Sequence, residues 1–368
     1  MNKKYANVGG QAVMEGIMMK SPKKTVLAVR DPSGNIVTED VKDFSIRKKC
    51  KLFRLPIIRG IFAFIESLVV GYRSLMRSAT LAGLEEETKG SKAAQALIMT
   101  VSVVLGVLLA VGLFVALPLF CMWLISFAFD FGIFKTLIEG AIRVVIFLLY
   151  IVIVSKQKDI KRIFEYHGAE HKTIFCFEAR EELTYENVKK QPRLHPRCGT
   201  SFIFLVMIIS ILFFSFVTWD NYFVRFALKL LLMPIVAGVS FELIQLAGKY
   251  DNVFTRIISA PGKALQKITT AEPDEQQIEV AIKALEERYA KCECPVVSNN
   301  SAHRHTPDVP MIIPEINPEH IDIIPSQRKR LGTKRGFIAV KSNCSLQSYL
   351  PAMAVINMKY PIDHALVT

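Results

Sequence analysis

What this chain lacks narrows it first. Histidine is nearly missing: of 7 in 368 residues, the first 290 or so hold only His167, His171 and His195. The 7 cysteines (Cys50, Cys121, Cys176, Cys198, Cys292, Cys294 and Cys344) are too scattered for a disulfide framework. A cysteine that binds metal here has to be reduced. No Gly-Lys-Ser/Thr follows the glycine-bracketed run Gly9-Gly10-Gln11-Ala12-Val13-Met14-Glu15-Gly16, which excludes a P-loop. No ribonucleoprotein pattern and no helix-turn-helix is present, so nucleic acid is not an expected partner despite a net charge of +13. Residues 1–7 are not followed by an apolar stretch and a small-residue cleavage site, so no signal peptide is expected.

Charge is missing altogether from residues 93–129, a longer run than the ~20 residues a bilayer requires. With a mean hydropathy of +0.31, the chain reads as partly solvated by lipid. The expected fold is mainly α: a polytopic membrane helix bundle of four spans and an interfacial helix. The spans are residues 93–129, 133–155, 201–217 and 230–248. Residues 55–71 are apolar but carry Arg59 and Glu66, which predicts an interfacial or re-entrant helix. Lys and Arg concentrate before residue 93, over 156–197 and after Lys249, and are sparse around Asp130 and Asp220. The positive-inside rule then places both termini and the histidine loop in the cytoplasm, with basic residues facing anionic lipid.

The domain reading follows. Residues 1–53 form a small N-terminal cytoplasmic β-hairpin region, because two apolar stretches flank the turn residues Asp31-Pro32-Ser33-Gly34-Asn35. Residues 54–92 are the interfacial helix and linker, 93–155 the first two spans, 156–200 a metal-site loop and 201–248 the last two spans. Residues 249–291 carry a cytoplasmic amphipathic helix that starts at Pro273-Asp274-Glu275. Residues 292–368 have turn formers and no packable period, which predicts a disordered extension. Cys292, Cys294, His303 and His305 within it offer a weaker metal tract.

The chemistry sits in His167-Gly168-Ala169-Glu170-His171. On a helix, positions i and i+4 share a face, so both imidazoles can reach one ion. Glu170 lies beside that face and can act as general base. The order H-x-x-E-H is that of the inverted zinc-peptidase motif. The third histidine opens His195-Pro196-Arg197-Cys198-Gly199, a zinc-knuckle pattern with His for the first Cys. The expected metal ligands are therefore His167, His171, His195 and Cys198, and their softness favours zinc or a similar divalent transition metal.

These three runs, with Pro234-Ile235-Val236-Ala237-Gly238-Val239-Ser240-Phe241-Glu242 and Thr269-Thr270-Ala271-Glu272-Pro273-Asp274, resemble the YqhQ-like bacterial membrane proteins. That family has no known function and is described as predicted metal-dependent enzymes. The resemblance covers roughly residues 6 to 290 and implies a multi-pass protein of the bacterial cell membrane. It also brings Glu15 onto the list of candidate site residues.

Each candidate has a plainer reading. The helix face can be a solvated polar face, and His195 with Cys198 can be a turn capping the third span. Glu242, inside the fourth span, can pair with Arg59 or Arg73, or can face the metal loop. Four protein ligands make a closed, structural site; three and a water make an open one with Glu170 as base. The leading expectation is a metal-dependent hydrolase acting on a lipid headgroup, a membrane-protein segment or another interfacial molecule. The alternative is a non-enzymatic membrane scaffold or assembly factor with structural zinc. A transporter using Glu139, Arg143 and Glu242 is disfavoured, since no internal repeat is visible.

Overall fold

The computed structural model describes residues 8–21, 24–42, 44–47, 53, 55–84, 92–129, 131–217, 222–250, 252–299, 301–362 and 364. Four strands come first: β1 (Gly9–Val13), β2 (Gly16–Lys20), β3 (Thr25–Arg30) and β4 (Ile36–Asp40). Helices α1 (Ile58–Leu81), α2 (Lys92–Val111), α3 (Leu117–Ser126), α4 (Lys135–Val154) and α5 (Lys158–Glu178) follow. Next come α6 (Tyr185–Lys190), α7 (Gly199–Ser215), α8 (Tyr222–Lys249), α9 (Val253–Thr269) and α10 (Glu275–Lys291). The C-terminal part adds β5 (Val296–Ser298), β6 (Met311–Ile312), α11 (Ile324–Leu331), β7 (Ile338–Lys341) and α12 (Cys344–Lys359). The fold is mainly helical, with a small N-terminal antiparallel sheet. Two compact units divide it: residues 1–43, 165–193 and 272–368, and residues 44–164 and 194–271.

In the first unit the sheet has the order β1-β2-β3-β4. The expected hairpin is β3–β4, whose turn is closed by the Asp31 carboxylate accepting from the Asn35 N–H at 2.8 Å. The glycine-bracketed run forms a second hairpin, β1–β2, with Glu15 in its turn at φ 50°. Alternation in β2 sends Ile17 and Met19 into one core with Tyr166, Ala169 and Ile174 of α5 and Ile278, Ile282 and Leu285 of α10. Burying each of the α10 side chains contributes on the order of 1.5–3 kcal/mol.

Helix α10 starts as its sequence predicts, with a capping box in which Asp274 accepts from the Gln277 N–H and Gln277 accepts from the Asp274 N–H. It is not a surface helix, however. Side chains all around it are buried, Glu286, Glu287 and Arg288 among them.

Part of that cover comes from the tail, which corrects the expectation of disorder beyond Lys291. Strands β5, β7 and β6 form a parallel sheet in that order, over a core of Ala290, Val309, Leu331, Ile338 and Val340. The physical reason for the miss is that its strands are two to four residues long, too short to display a period. Side chains hold them instead. Gln327 brackets Ile338, accepting from its N–H at 2.6 Å and donating to its carbonyl at 2.9 Å. The Glu293 carboxylate accepts from the N–H groups of Lys334, Arg335 and Gly336, which hold its pKa down to about 2. His303 is fully buried.

The second unit contains the apolar helices. Among the described residues three are long and apolar enough to cross a membrane: Thr100–Ser126, Lys135–Val154 and Ala227–Lys249. Four were expected from the sequence. The fourth segment is a helix of 17 residues, Gly199–Ser215, about 25 Å at 1.5 Å per residue and short of a ~30 Å hydrocarbon core. The first run is interrupted by a π-helical turn at Gly112–Ala116, and the Arg143 Nε of α4 donates to the Phe114 carbonyl within it at 3.2 Å. Arg143 also pairs with Glu139 one turn away at 2.8 Å. The stretches around Asp130 and Asp220-Asn221, used above to assign sidedness, lie outside the described residues.

Helix α1 forms where the interfacial helix was expected, and Arg59 and Glu66 within it are both matched. Glu66, 1% exposed, accepts from the Arg47 N–H at 2.9 Å, the Arg47 guanidinium at 2.8 Å and the Ser45 hydroxyl at 3.2 Å. Arg59 pairs with Glu242 of α8. The two helices approach where a Cβ on Gly60 would lie 3.0 Å from the Gly238 Cα, a spacing only small residues permit.

Candidate metal centre

Helix α5 carries two i,i+4 pairs on adjacent faces, since successive residues turn by about 100°. His167 and His171 form one pair. Their rings lie 4.4 Å apart at 61°, and a ligand atom of each lies within 4.8 Å of the other's. Two imidazoles so placed can share an ion. His171 is 2% exposed. Its Nδ1 meets the Arg193 carbonyl at 2.5 Å, and with that nitrogen as the donor, Nε2 keeps its lone pair for a metal.

That carbonyl is itself secured. Lys172, buried although charged, donates from Nζ to the Lys189 carbonyl at 2.8 Å and pairs with the Glu272 carboxylate at 2.8 Å. The other oxygen of Glu272 faces the Arg193 guanidinium at 3.9 Å. Lys172 and Glu272 thus latch the segment that orients His171. Sequence reasoning missed both roles. Lys172 directly follows the motif, and Glu272 stands in a run noted above only for its resemblance.

Tyr166 and Glu170 form the second pair. Glu170 is 5% exposed, and a Cβ placed on Gly10 of β1 would lie 2.7 Å from its carboxyl carbon. Tyr166 is fully buried and its hydroxyl donates to Glu15 Oε2 at 3.3 Å. Glu15 is therefore brought to this helix from the β1–β2 turn, one turn away from Glu170. Cys176, further along α5, is a different kind of group: burial pushes its thiol up to about 11, an inert core sulfur.

His195 and Cys198 lie together in one buried turn of the second unit. Gln266 of α9 holds it from both sides, accepting from the His195 N–H at 2.7 Å and donating to its carbonyl at 2.8 Å. The Arg197 N–H donates to His195 Nδ1 at 3.2 Å. With Nδ1 accepting, a neutral imidazole carries its proton on Nε2, so this geometry presents neither ring nitrogen as a ligand. Cys198 is the N-cap residue of α7, where the helix's positive end supports negative charge on sulfur, and its Sγ lies 3.1 Å from the Thr200 hydroxyl.

Glu242 takes the first of the two partners considered for it: its carboxylate accepts from Arg59 Nε at 2.7 Å and Nη2 at 2.5 Å, a bidentate pair, and from the Ile57 N–H at 3.3 Å.

A family described as Protein of unknown function (DUF1385) matches residues 55–291. Uncharacterized protein YqhQ of Bacillus subtilis is 35% identical over 289 residues, covering 76% of this chain and 91% of that protein. A second family, Semialdehyde dehydrogenase, NAD binding domain, matches residues 268–324. Aspartate-semialdehyde dehydrogenase of Aspergillus fumigatus is 39% identical over 80 residues, 22% of this chain and 22% of that enzyme. Malonyl CoA reductase (NADP) of Metallosphaera sedula is 38% identical over 84 residues, 23% of each chain. The chain thus spans less than a quarter of these enzymes' length. No solved structure matches the chain.

Proposed function

The chain belongs to the DUF1385 family of proteins of unknown function, and we propose that it is a metal-dependent hydrolase at the cytoplasmic face of a bacterial membrane. The observation that carries this reading is His171: a buried imidazole with its Nδ1 spent on a fixed backbone carbonyl, beside a second imidazole at ligand spacing. A solvated polar helix face has no need of such an arrangement. His167 and His171 would bind through ring nitrogens, and the second motif would supply the Cys198 thiolate. His195, with Nδ1 engaged by a backbone N–H, would stand off as a structural residue of the knuckle. A zinc-like ion held there would supply Lewis acidity for the attack of water. Glu170, its carboxylate kept from bulk solvent, would be the general base that takes a proton.

In the membrane reading, Gly199–Ser215 joins the three longer helices as a fourth, short span, and both termini are cytoplasmic. The substrate would be a lipid headgroup, a membrane-protein segment or another interfacial molecule.

The test is metal content and complementation, on the full-length protein. About one zinc-like ion per chain is expected, lost in His171→Ala. In Glu170→Gln the ion stays and complementation of a strain lacking its own family member fails. Replacement of the ion by cobalt should give a sulfur charge-transfer band that Cys198→Ser abolishes. Retained function in Glu170→Gln would favour the scaffold with structural zinc. Absence of stoichiometric metal from the wild-type protein would remove the metal reading itself.

A further inference from the structure

The hairpin β1–β2 has no part yet in the proposed chemistry, although it reaches helix α5 at two points. Gly9 and Gly10 are neighbours in β1, and neither adopts a positive φ, so backbone freedom does not explain the glycines. Their surroundings differ sharply. A Cβ on Gly9 would meet nothing within 4 Å. On Gly10 it would lie 2.7 Å from both the carboxyl carbon and Oε1 of Glu170, and 2.8 Å from its Cγ. Gly10 is therefore a space, and the Glu170 carboxylate fills it. Glu170 is 5% exposed, so a carboxylate displaced from that space has to be re-housed among buried neighbours. The face of α5 that carries it is also tied to the hairpin's turn, through the Tyr166 hydroxyl and Glu15.

We propose that the β1–β2 hairpin is the positioning element for Glu170: Gly10 sets where the carboxylate lies, and the Glu15–Tyr166 contact fixes the rotation of its helix. The proposal rests on the reading of Glu170 as the base, and it extends the active constellation to a strand more than 150 residues away in sequence. It also gives the Gly9–Gly16 run a purpose: space at one strand position and a carboxylate at the turn.

The experiment is a size-exchange cycle on the full-length protein in detergent, read by Tm and by complementation. Gly9→Ala should leave both readouts unchanged. Gly10→Ala should lower Tm by several degrees and abolish complementation while the protein still inserts. Glu170→Asp shortens the side chain by one methylene and draws the carboxylate back from Gly10. The double variant Gly10→Ala with Glu170→Asp should therefore recover Tm and part of the complementation that Gly10→Ala loses. Gly10→Ala with Glu170→Ala should recover Tm alone, which separates positioning from simple packing. A Gly10→Ala protein indistinguishable from wild type, or a Glu170→Asp double variant no better than Gly10→Ala in complementation, would overturn the proposal. The Tm coupling does not require bound metal. A metal-free wild type that still shows the coupling would therefore sink the metal reading and not this one.

Discussion

The Lys172–Glu272 latch shows how single residues at this site act at a distance. Neither side chain touches a candidate ligand atom, yet together they hold the Lys189 to Arg193 segment whose carbonyl sets the tautomer of His171. Loss of an outer partner of a ligating histidine commonly costs about 10- to 100-fold in metal affinity. Glu272→Gln keeps shape and removes the charge facing Lys172 and Arg193. Its zinc affinity, measured by competition with a chromogenic chelator, should fall by about 10-fold with the fold intact. Unchanged affinity would mean the carbonyl is held by the chain alone. The pairing of His167 with His171 and the shared turn of His195 and Cys198 were legible because helix and turn geometry fix their spacing. Tyr166, Lys172 and Glu272 were not, since their partners lie far along the chain and only the fold brings them close.

Among the elements, α10 departs most from its sequence reading. Its start was legible from Asp274 and Gln277, because caps are local. Its burial was not: an amphipathic helix was expected, yet Glu286, Glu287 and Arg288 are covered by groups from elsewhere. The tail supplies some of those groups. Ser298 Oγ donates to Glu286 Oε1 at 2.5 Å, and His303 Nε2 lies 3.7 Å from Oε2. Burial pushes Glu286 up to about 7, against the pull of the Ser298 hydroxyl and the Lys283 charge. Burial, aided by the Lys283 charge, pushes His303 down to about 3.

The signs oppose. A carboxyl with a raised folded pKa removes stability as pH climbs from its ordinary 4.5 to about 7, since the folded state holds the extra proton. An imidazole with a depressed folded pKa adds stability as pH climbs from about 3 to its ordinary 6.5. Across their shared window the two cancel. Chemical unfolding followed by protease protection of the tail should be nearly level with pH there. Glu286→Gln should leave stability rising through that window, and His303→Gln should leave it falling. Parallel curves for all three proteins would refute the buried pairing.

For the whole molecule, composition predicted membrane spans, and among the described residues three helices are long and apolar enough to cross a bilayer; the relative YqhQ is bacterial. The finer expectation, four spans with cytoplasmic termini, hangs on a 17-residue helix. Reporter fusions at Lys189 and at Asn221 decide it, since α7 lies between them. Opposite sides, with Lys189 cytoplasmic, are expected if α7 crosses. The same side for both would reduce the count and move the later segments across the bilayer.

The π-helical turn at Gly112–Ala116 adds a constraint of another kind, one of phase. A wide turn accommodates one residue more than the α-helical count, and each residue is worth about 100° of rotation. The buried pair Pro118 and Met122 of α3 keeps its present direction only because that extra residue is there. Removing Val115 alone would turn Pro118 and Met122 away from their buried direction and shift the Phe114 carbonyl relative to Arg143, while Pro118, having no N–H, would still leave one carbonyl of the preceding turn without a backbone donor. In this helix, length is therefore not a free variable: many exposed positions can change side chain without altering the phase, but losing one residue changes which side chains are buried.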